Sequence, residues 1–181
     1  MSRNKGIRLA KGKYIAFCDA DDVWNKKKLK IQLNFMEKLK LNFSHTSYKI
    51  IDQQEEILGQ FDIIHKLDYK TLIKSCDIAT SSVIIKKNII KTKKLFSNLK
   101  TKEDYFLWLK IIKKEKYLYG IKDYLLMWRS VKGSLSDSIF QKLTDAFKLY
   151  NTHEKYNTLI SIYFVIRLSF YALTKKIKIY K

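Results

Sequence analysis

The chain has 181 residues and carries a formal net charge of +20, from 37 Lys and Arg against 17 Asp and Glu. With 46% hydrophobic and 14% aromatic residues it can bury a sizeable core, which excludes a disordered polycation and fits one domain, or one domain with an appendage. The charge implies affinity for something acidic, whether nucleotide diphosphates, anionic lipid headgroups or nucleic acid, and does not choose among them.

Arg3 to Ala10 reads as the end of a helix, closed by Gly12. Lys13–Cys18 is a short apolar run and reads as a buried strand ending at Asp19-Ala20-Asp21-Asp22. Asn25 is a candidate N-cap for a helix over 26–40, with Leu29, Leu33, Met36 and Leu39 as its apolar stripe and Lys26-Lys27-Lys28 as its solvated start. Residues 43–51 and 56–64 read as antiparallel strands joined around Asp52–Glu55. A short helix at 68–75 leads to a β-rich run, Thr80–Ile85. A helix over 102–114 follows, turning Phe106, Leu107, Ile111 and Ile112 inward. Short strands are expected at 117–121 and 124–129, and a helical stretch over 137–173. Proline is missing and glycine occurs five times, so turns must rest mainly on Asn, Asp, Ser and those few glycines.

Cys18 and Cys76 fit neither a disulfide framework nor a metal motif, and read as small core residues in a reducing cytosol. His45, His65 and His153 lie too far apart to form a metal motif and read as structural or surface residues. The first twelve residues are polar and basic, without the apolar core of a secretory signal.

Two acidic clusters are the candidates for chemistry. Ligands in open α/β sheets bind beyond the carboxyl ends of strands, which is where Asp19–Asp22 would stand. Carboxylates gathered there call for a hard divalent cation, which commonly brings substrate phosphates with it. A plain surface turn is the other reading. Glu103 and Asp104 open the later helix after Thr101, either as a capping pattern at the positive end of the helix dipole or as a general base facing a cleft.

The segment from Arg3-Asn4-Lys5-Gly6 through Lys11-Gly12-Lys13-Tyr14-Ile15-Ala16-Phe17-Cys18-Asp19-Ala20-Asp21-Asp22-Val23-Trp24 resembles the central signature of the family 2 inverting glycosyltransferases of the GT-A fold. Lys102-Glu103-Asp104-Tyr105-Phe106-Leu107-Trp108-Leu109 is similar to that family's acidic helix-start motif, and Arg129 with Gly133-Ser134-Leu135-Ser136 to its basic strand end and Ser-Leu-Ser loop. The likeness spans about residues 2–136 and leans toward the bacterial cell-surface polysaccharide enzymes. It implies an α/β fold, the C-terminal portion of a GT-A (Rossmann-like) domain over 1–136, which the residue pattern follows with a helical C-terminal tail over 137–181. It implies that Asp19 and Asp21 are the carboxylates of the Asp-x-Asp motif. Asp21 would be the ligand of a divalent metal (Mn²⁺ or Mg²⁺), and Asp19 would face the ribose or assist the metal through water. Asp104 would be the catalytic base with Glu103 beside it, and Arg3 would lie near the nucleotide.

The implied reaction is metal-dependent transfer of a sugar, with inversion, from a nucleotide-sugar donor to a saccharide or lipid-linked acceptor. Two departures stand out: Asn25-Lys26 replaces the proline usual after Trp24, and roughly 60–90 residues of donor-binding strands expected before the motif are missing. The alternatives are a non-catalytic basic module for membranes or nucleic acid, and an inactive gene remnant. The acidic cluster speaks against a nucleic-acid partner, because without a metal it would repel phosphates. The expected location is the cytoplasm. The apolar run Thr158–Leu173, interrupted by Arg167 and followed by Lys175, Lys176, Lys178 and Lys181, could lie in the interface at the inner face of the cell membrane, pack on the domain, or span a bilayer.

Overall fold

In a computed structural model, residues 2–75, 77–90, 96–131 and 138–179 are described, with the side chains of 176–179 left aside. Seven strands form one sheet in the order β1 (Tyr14–Ala16), β6 (Ile84–Lys86), β3 (Phe43–Ile51), β7 (Tyr117–Arg129) and β2 (Val23–Trp24). Of the remaining two, β4 (Ile57–Phe61) pairs with β3 and β5 (Lys66–Asp68) with β7. The β3–β7 pair is parallel and the other pairings are antiparallel. Helices α1 (Ser2–Leu9), α2 (Lys28–Lys38), α3 (Tyr69–Leu72), α4 (Glu103–Glu115), α5 (Ile139–Lys148) and α6 (Thr158–Ile179) complete the mixed α/β architecture.

The core lies between β1, β6, β3 and β7 on one side and α4 on the other. Trp108 and Tyr105 of α4 are fully buried, and Trp108 meets Phe43 and Phe17 edge-on at centroid distances of 5.4 and 6.3 Å. Such pairs contribute beyond their buried area. Ala146 of α5, Leu168 of α6 and Leu149 and Tyr150 of the π-helical turn Leu149–His153 join the same cluster. The boundary expected at 136 lies outside the described residues, as do the Gly133–Ser136 motif, Cys76 and Lys181.

Several elements differ from expectation. The strands expected at 117–121 and 124–129 are one strand, β7, whose register against β3 shifts on either side of Ser47. A bulge puts an extra polar residue in a strand without ending it, so Lys122-Asp123 looks like a break in sequence. The run Thr80–Ile85 is a 3₁₀ turn, Thr80–Ser82, followed by β6. The helical stretch after 137 is interrupted between the π turn and α6, with Lys155 in the left-handed region at φ 61°.

The inner face of α2 is Lys28, Gln32 and Met36; of the expected stripe Met36 is buried and Leu33 half-buried, while Leu29 and Leu39 are exposed. Lys28 is therefore not part of a solvated start. Asn25 does not cap α2 either, since its side chain accepts from the Lys27 amide one turn earlier. At the other end, Lys40 (φ 53°) takes the left-handed position after the helix, and the Leu41 amide reaches back to the Met36 carbonyl at 2.8 Å. That closure usually falls to glycine, and a glycine-poor chain uses lysine.

Gly120 in β7 is required by packing. A Cβ there would stand 2.5 Å from Cδ1 of Ile63 and 2.8 Å from Nε2 of His45. His45 is fully buried, with no partner for either ring nitrogen among the described residues, and burial pushes its pKa down to about 3. It is a neutral core residue. His153 lies against Phe106 with the rings tilted, centroids 4.5 Å apart.

Candidate active site

The chain leaves β1 through Phe17 and Cys18 and turns at Asp19–Asp22, where the Asp22 amide bonds the Asp19 carbonyl at 3.2 Å. Arg129, at the end of β7, braces this turn. Its amide donates to Asp22 Oδ1 (2.9 Å) and its Nε to the Asp21 carbonyl (2.8 Å). The same guanidinium reaches the Asp52 carbonyl (2.7 Å) and Glu55 (3.0 Å), joining the acidic turn to the β3–β4 connection. Burial pushes the Asp22 carboxyl up, with the Arg129 amide pulling the other way. Cys18 is exposed beside this turn and is not a core residue.

Glu103 and Asp104 occupy the first turn of α4, where the helix dipole favours negative charge. Thr101 does not cap the helix. Its amide and hydroxyl, and the Lys100 amide, all bond Asp145 Oδ2 of α5 at 2.9–3.1 Å. Burial opposes charge on Asp145, yet these hydrogen bonds hold its carboxyl below the usual range. Asp104 Oδ2 accepts from Thr80 (2.9 Å), and Asp104 Oδ1 accepts from the Tyr105 amide (2.6 Å).

Arg3 of α1 links the two clusters. One guanidinium nitrogen pairs with Asp19 at 2.6 Å and the other with Glu103 at 2.7 Å. Burial works against its charge, but Asp19, Glu103 and Asp104 more than offset that and raise its pKa. Glu103 is pushed up, first by burial and then by the Asp104 charge, with Arg3 opposing.

These groups line one cleft of about 480 Å³, together with Lys100, Trp128 and Ser130. That volume lies within the roughly 300–1,000 Å³ of small-molecule sites. Asp19, Asp21, Asp22, Glu103 and Asp104 thus meet from distant parts of the chain. Among the described residues, no three His, Cys, Asp or Glu side chains converge as a ready-made metal cage. Asp21 is exposed in the cleft and its carboxylate makes no hydrogen bond or ion pair among the described residues. One free carboxylate with another beside it is a donor set that suits a cation bound through one or two carboxylates, waters and substrate phosphates. The residues present fit such an ion.

The likeness marks Arg3 as a site residue, but the pairings that brace the site have no signature in sequence. Arg3 as a bridge, Thr80 and Ser81 as contacts to the carboxylates, and Asp145 as the anchor of the α4 loop are all tertiary pairings. Only the polar cluster Thr80-Ser81-Ser82 between apolar runs hinted at them.

A GT-A-like mixed sheet with carboxylates beyond its strand ends defines a class, and residues 1–97 match the family described as Glycosyl transferase family 2. The chain belongs to that family. It is 35% identical over 142 residues to UDP-Glc:alpha-D-GlcNAc-diphosphoundecaprenol beta-1,3-glucosyltransferase WfaP of Escherichia coli, covering 78% of this chain and 55% of that one. It is 29% identical over 181 residues to TuaG of Bacillus subtilis, a glycosyltransferase named for teichuronic acid biosynthesis, covering 98% and 70%. The structure of S. aureus TarS residues 1–349 in complex with UDP-GlcNAc aligns with a TM-score of 0.61 at 16% identity, over 90% of this chain and 49% of that one. This last likeness speaks for the fold alone. The chain spans about half the length of WfaP and of that TarS structure.

Proposed function

We propose that the cleft carries the donor-diphosphate and base side of an inverting glycosyltransferase, which moves a sugar from a nucleotide-sugar donor to a saccharide or lipid-linked acceptor in cell-surface polysaccharide synthesis. The observation that carries this reading is the convergence of Asp19 and Asp21 with Glu103 and Asp104 on one cleft, linked through Arg3. Asp104 takes the proton of the acceptor hydroxyl, whose oxygen attacks the anomeric carbon as the bond to the diphosphate oxygen breaks on the opposite side, giving inversion. A base in this role contributes about 10²- to 10⁴-fold. Thr80 and the Tyr105 amide hold the Asp104 carboxylate in one orientation. Arg3 keeps Asp19 and Glu103 from repelling each other and the donor. Asp21, with Asp19 beside it, would hold a divalent cation, which when bound neutralises charge on the leaving diphosphate. Lys100, exposed on the cleft wall, adds a cation to the same side.

We place the protein at the inner face of the cell membrane on a second observation. The inner edge of α6 packs on the domain through Ser161, Phe164 and Leu168, with Phe164 stacked on Tyr150 at 5.0 Å. Its outer edge bares Leu159, Ile162, Tyr163, Ile166, Phe170 and Leu173. By length and composition this helix could cross a membrane, but its packed edge favours an interfacial position. No acidic residue occurs after Glu154, so the exposed stripe lies in a wholly cationic segment. A second copy of a +20 chain would be repelled from it, and an anionic lipid surface attracted.

The test of the base is Asp104→Asn, measured as UDP release from UDP-glucose and UDP-GlcNAc in the presence of bacterial membranes bearing lipid-linked saccharides. The expected result is a loss of at least about 10²-fold in turnover with donor affinity nearly unchanged. A variant that turns over like wild type would leave Asp104 as a helix-start residue only.

A further inference from the structure

The 3₁₀ turn Thr80–Ser82 touches both sides of the cleft. Ser81 Oγ accepts from the Asp19 amide at 3.0 Å, and Thr80 Oγ1 donates to Asp104 Oδ2 at 2.9 Å. A three-residue turn leaves carbonyls without helical partners, and buried carbonyls must find donors elsewhere. Trp24 Nε1 donates to the Ser81 carbonyl (2.8 Å) and Gln32 Nε2 to the Ser82 carbonyl (3.0 Å). The Gln32 amide oxygen then needs its own donor, which is Lys28 Nζ at 2.8 Å, 4.5 Å from the Trp24 ring centroid. Lys28 and Gln32 are both fully buried, and neither lines the cleft. An apolar pair would pack α2 against the domain without burying an ammonium, which is costly unless it is hydrogen-bonded. What the polar pair adds is a grip on the turn.

We infer that the Thr80–Ser82 turn fixes Asp19 relative to Asp104, and that Lys28 and Gln32 of α2 are positioning residues for the reaction, acting through that turn. The inference rests on the roles proposed above for Asp19 and Asp104. Ser81 governs the donor side through the Asp19 backbone, Thr80 governs the base, and Gln32 with Lys28 governs both from behind.

The experiment is a double-mutant cycle on the full chain, with Mn²⁺ plus UDP binding followed by calorimetry well below the melting temperature. Ser81→Ala and Gln32→Leu should each weaken binding about fivefold, in line with the net worth of one hydrogen bond. The double variant should be no weaker than Gln32→Leu alone, because both changes act through one contact. Gln32→Leu with a lowered melting temperature but wild-type affinity would overturn the inference, as would strictly additive effects. Lys28→Met gives the same readouts should Gln32→Leu not fold. Absence of Mn²⁺–UDP heat in the wild type would defeat the proposed cation–diphosphate site instead. Hydrogen exchange then decides the inference: the Asp19 amide should exchange about tenfold faster in Gln32→Leu, relative to the β3 amides, and equal protection would overturn it.

Discussion

Replacing Lys28 by Met should change how stability depends on pH. The ammonium is fully buried, and burial pulls its pKa from the ordinary 10.5 down to about 8. Below pH 8 the group is protonated in both folded and unfolded chains, so the folded state bears the whole cost of the buried charge, about 3 kcal/mol. Between pH 8 and 10.5 the folded protein sheds the proton while the unfolded chain keeps it, so stability rises with pH. From pH 7 to pH 10 the wild type should gain about 2.5 kcal/mol relative to Lys28→Met. The variant also leaves the Gln32 amide oxygen without its donor, a constant loss of about 1–3 kcal/mol that shifts its curve without changing the slope. Urea unfolding at pH 7, 8, 9 and 10 measures this, with both proteins in a Cys18→Ser background because that thiol is electrostatically coupled to Lys28. Tyr69 and Tyr171, both raised by burial, lose stabilisation above pH 10 equally in the two proteins and cancel. Parallel stability curves would refute a buried charged lysine under α2.

Gly120→Ala should destabilise the protein by about 1–3 kcal/mol in thermal or urea unfolding, because the new methyl meets Ile63 and the fully buried His45 ring. On the outer edge of α6, Ile166→Asp with Phe170→Asp should cut sedimentation with phosphatidylglycerol vesicles about tenfold, while stability stays within about 0.5 kcal/mol of wild type. Undiminished binding by that variant would assign membrane attraction to the surface charge at large, and the wild-type attraction should in any case weaken with added salt.

The position of the two acidic clusters was legible because each is written contiguously. Asp19–Asp22 follow a short apolar strand and Glu103-Asp104 open an amphipathic helix, so local pattern alone placed both at element ends. What pattern could not supply is which polar group answers which. The family likeness places Arg3 near the nucleotide, but its pairing with both Asp19 and Glu103 is seen only once the fold brings them to either side of it. On α2 the pattern finds Met36 but not Lys28 and Gln32, because Gln32 is buried to donate to the Ser82 carbonyl and Lys28 to donate to Gln32, and hydrophobic periodicity is blind to such needs. Strand β7 looked like two strands because its bulge carries Lys122 and Asp123. The break before α6 escaped notice because Lys155, not glycine or proline, makes it.

The central claim is that the acidic turn holds a divalent cation together with a nucleoside diphosphate. Calorimetry of Mn²⁺ plus UDP against the wild type and Asp21→Ala tests it most directly. The account predicts metal-dependent heat with the wild type, lost when Mn²⁺ is withheld and reduced at least about tenfold in affinity by Asp21→Ala, which removes a cleft carboxylate that has no partner among the described residues. Binding of equal strength in both proteins, or heat that ignores the metal, would contradict it.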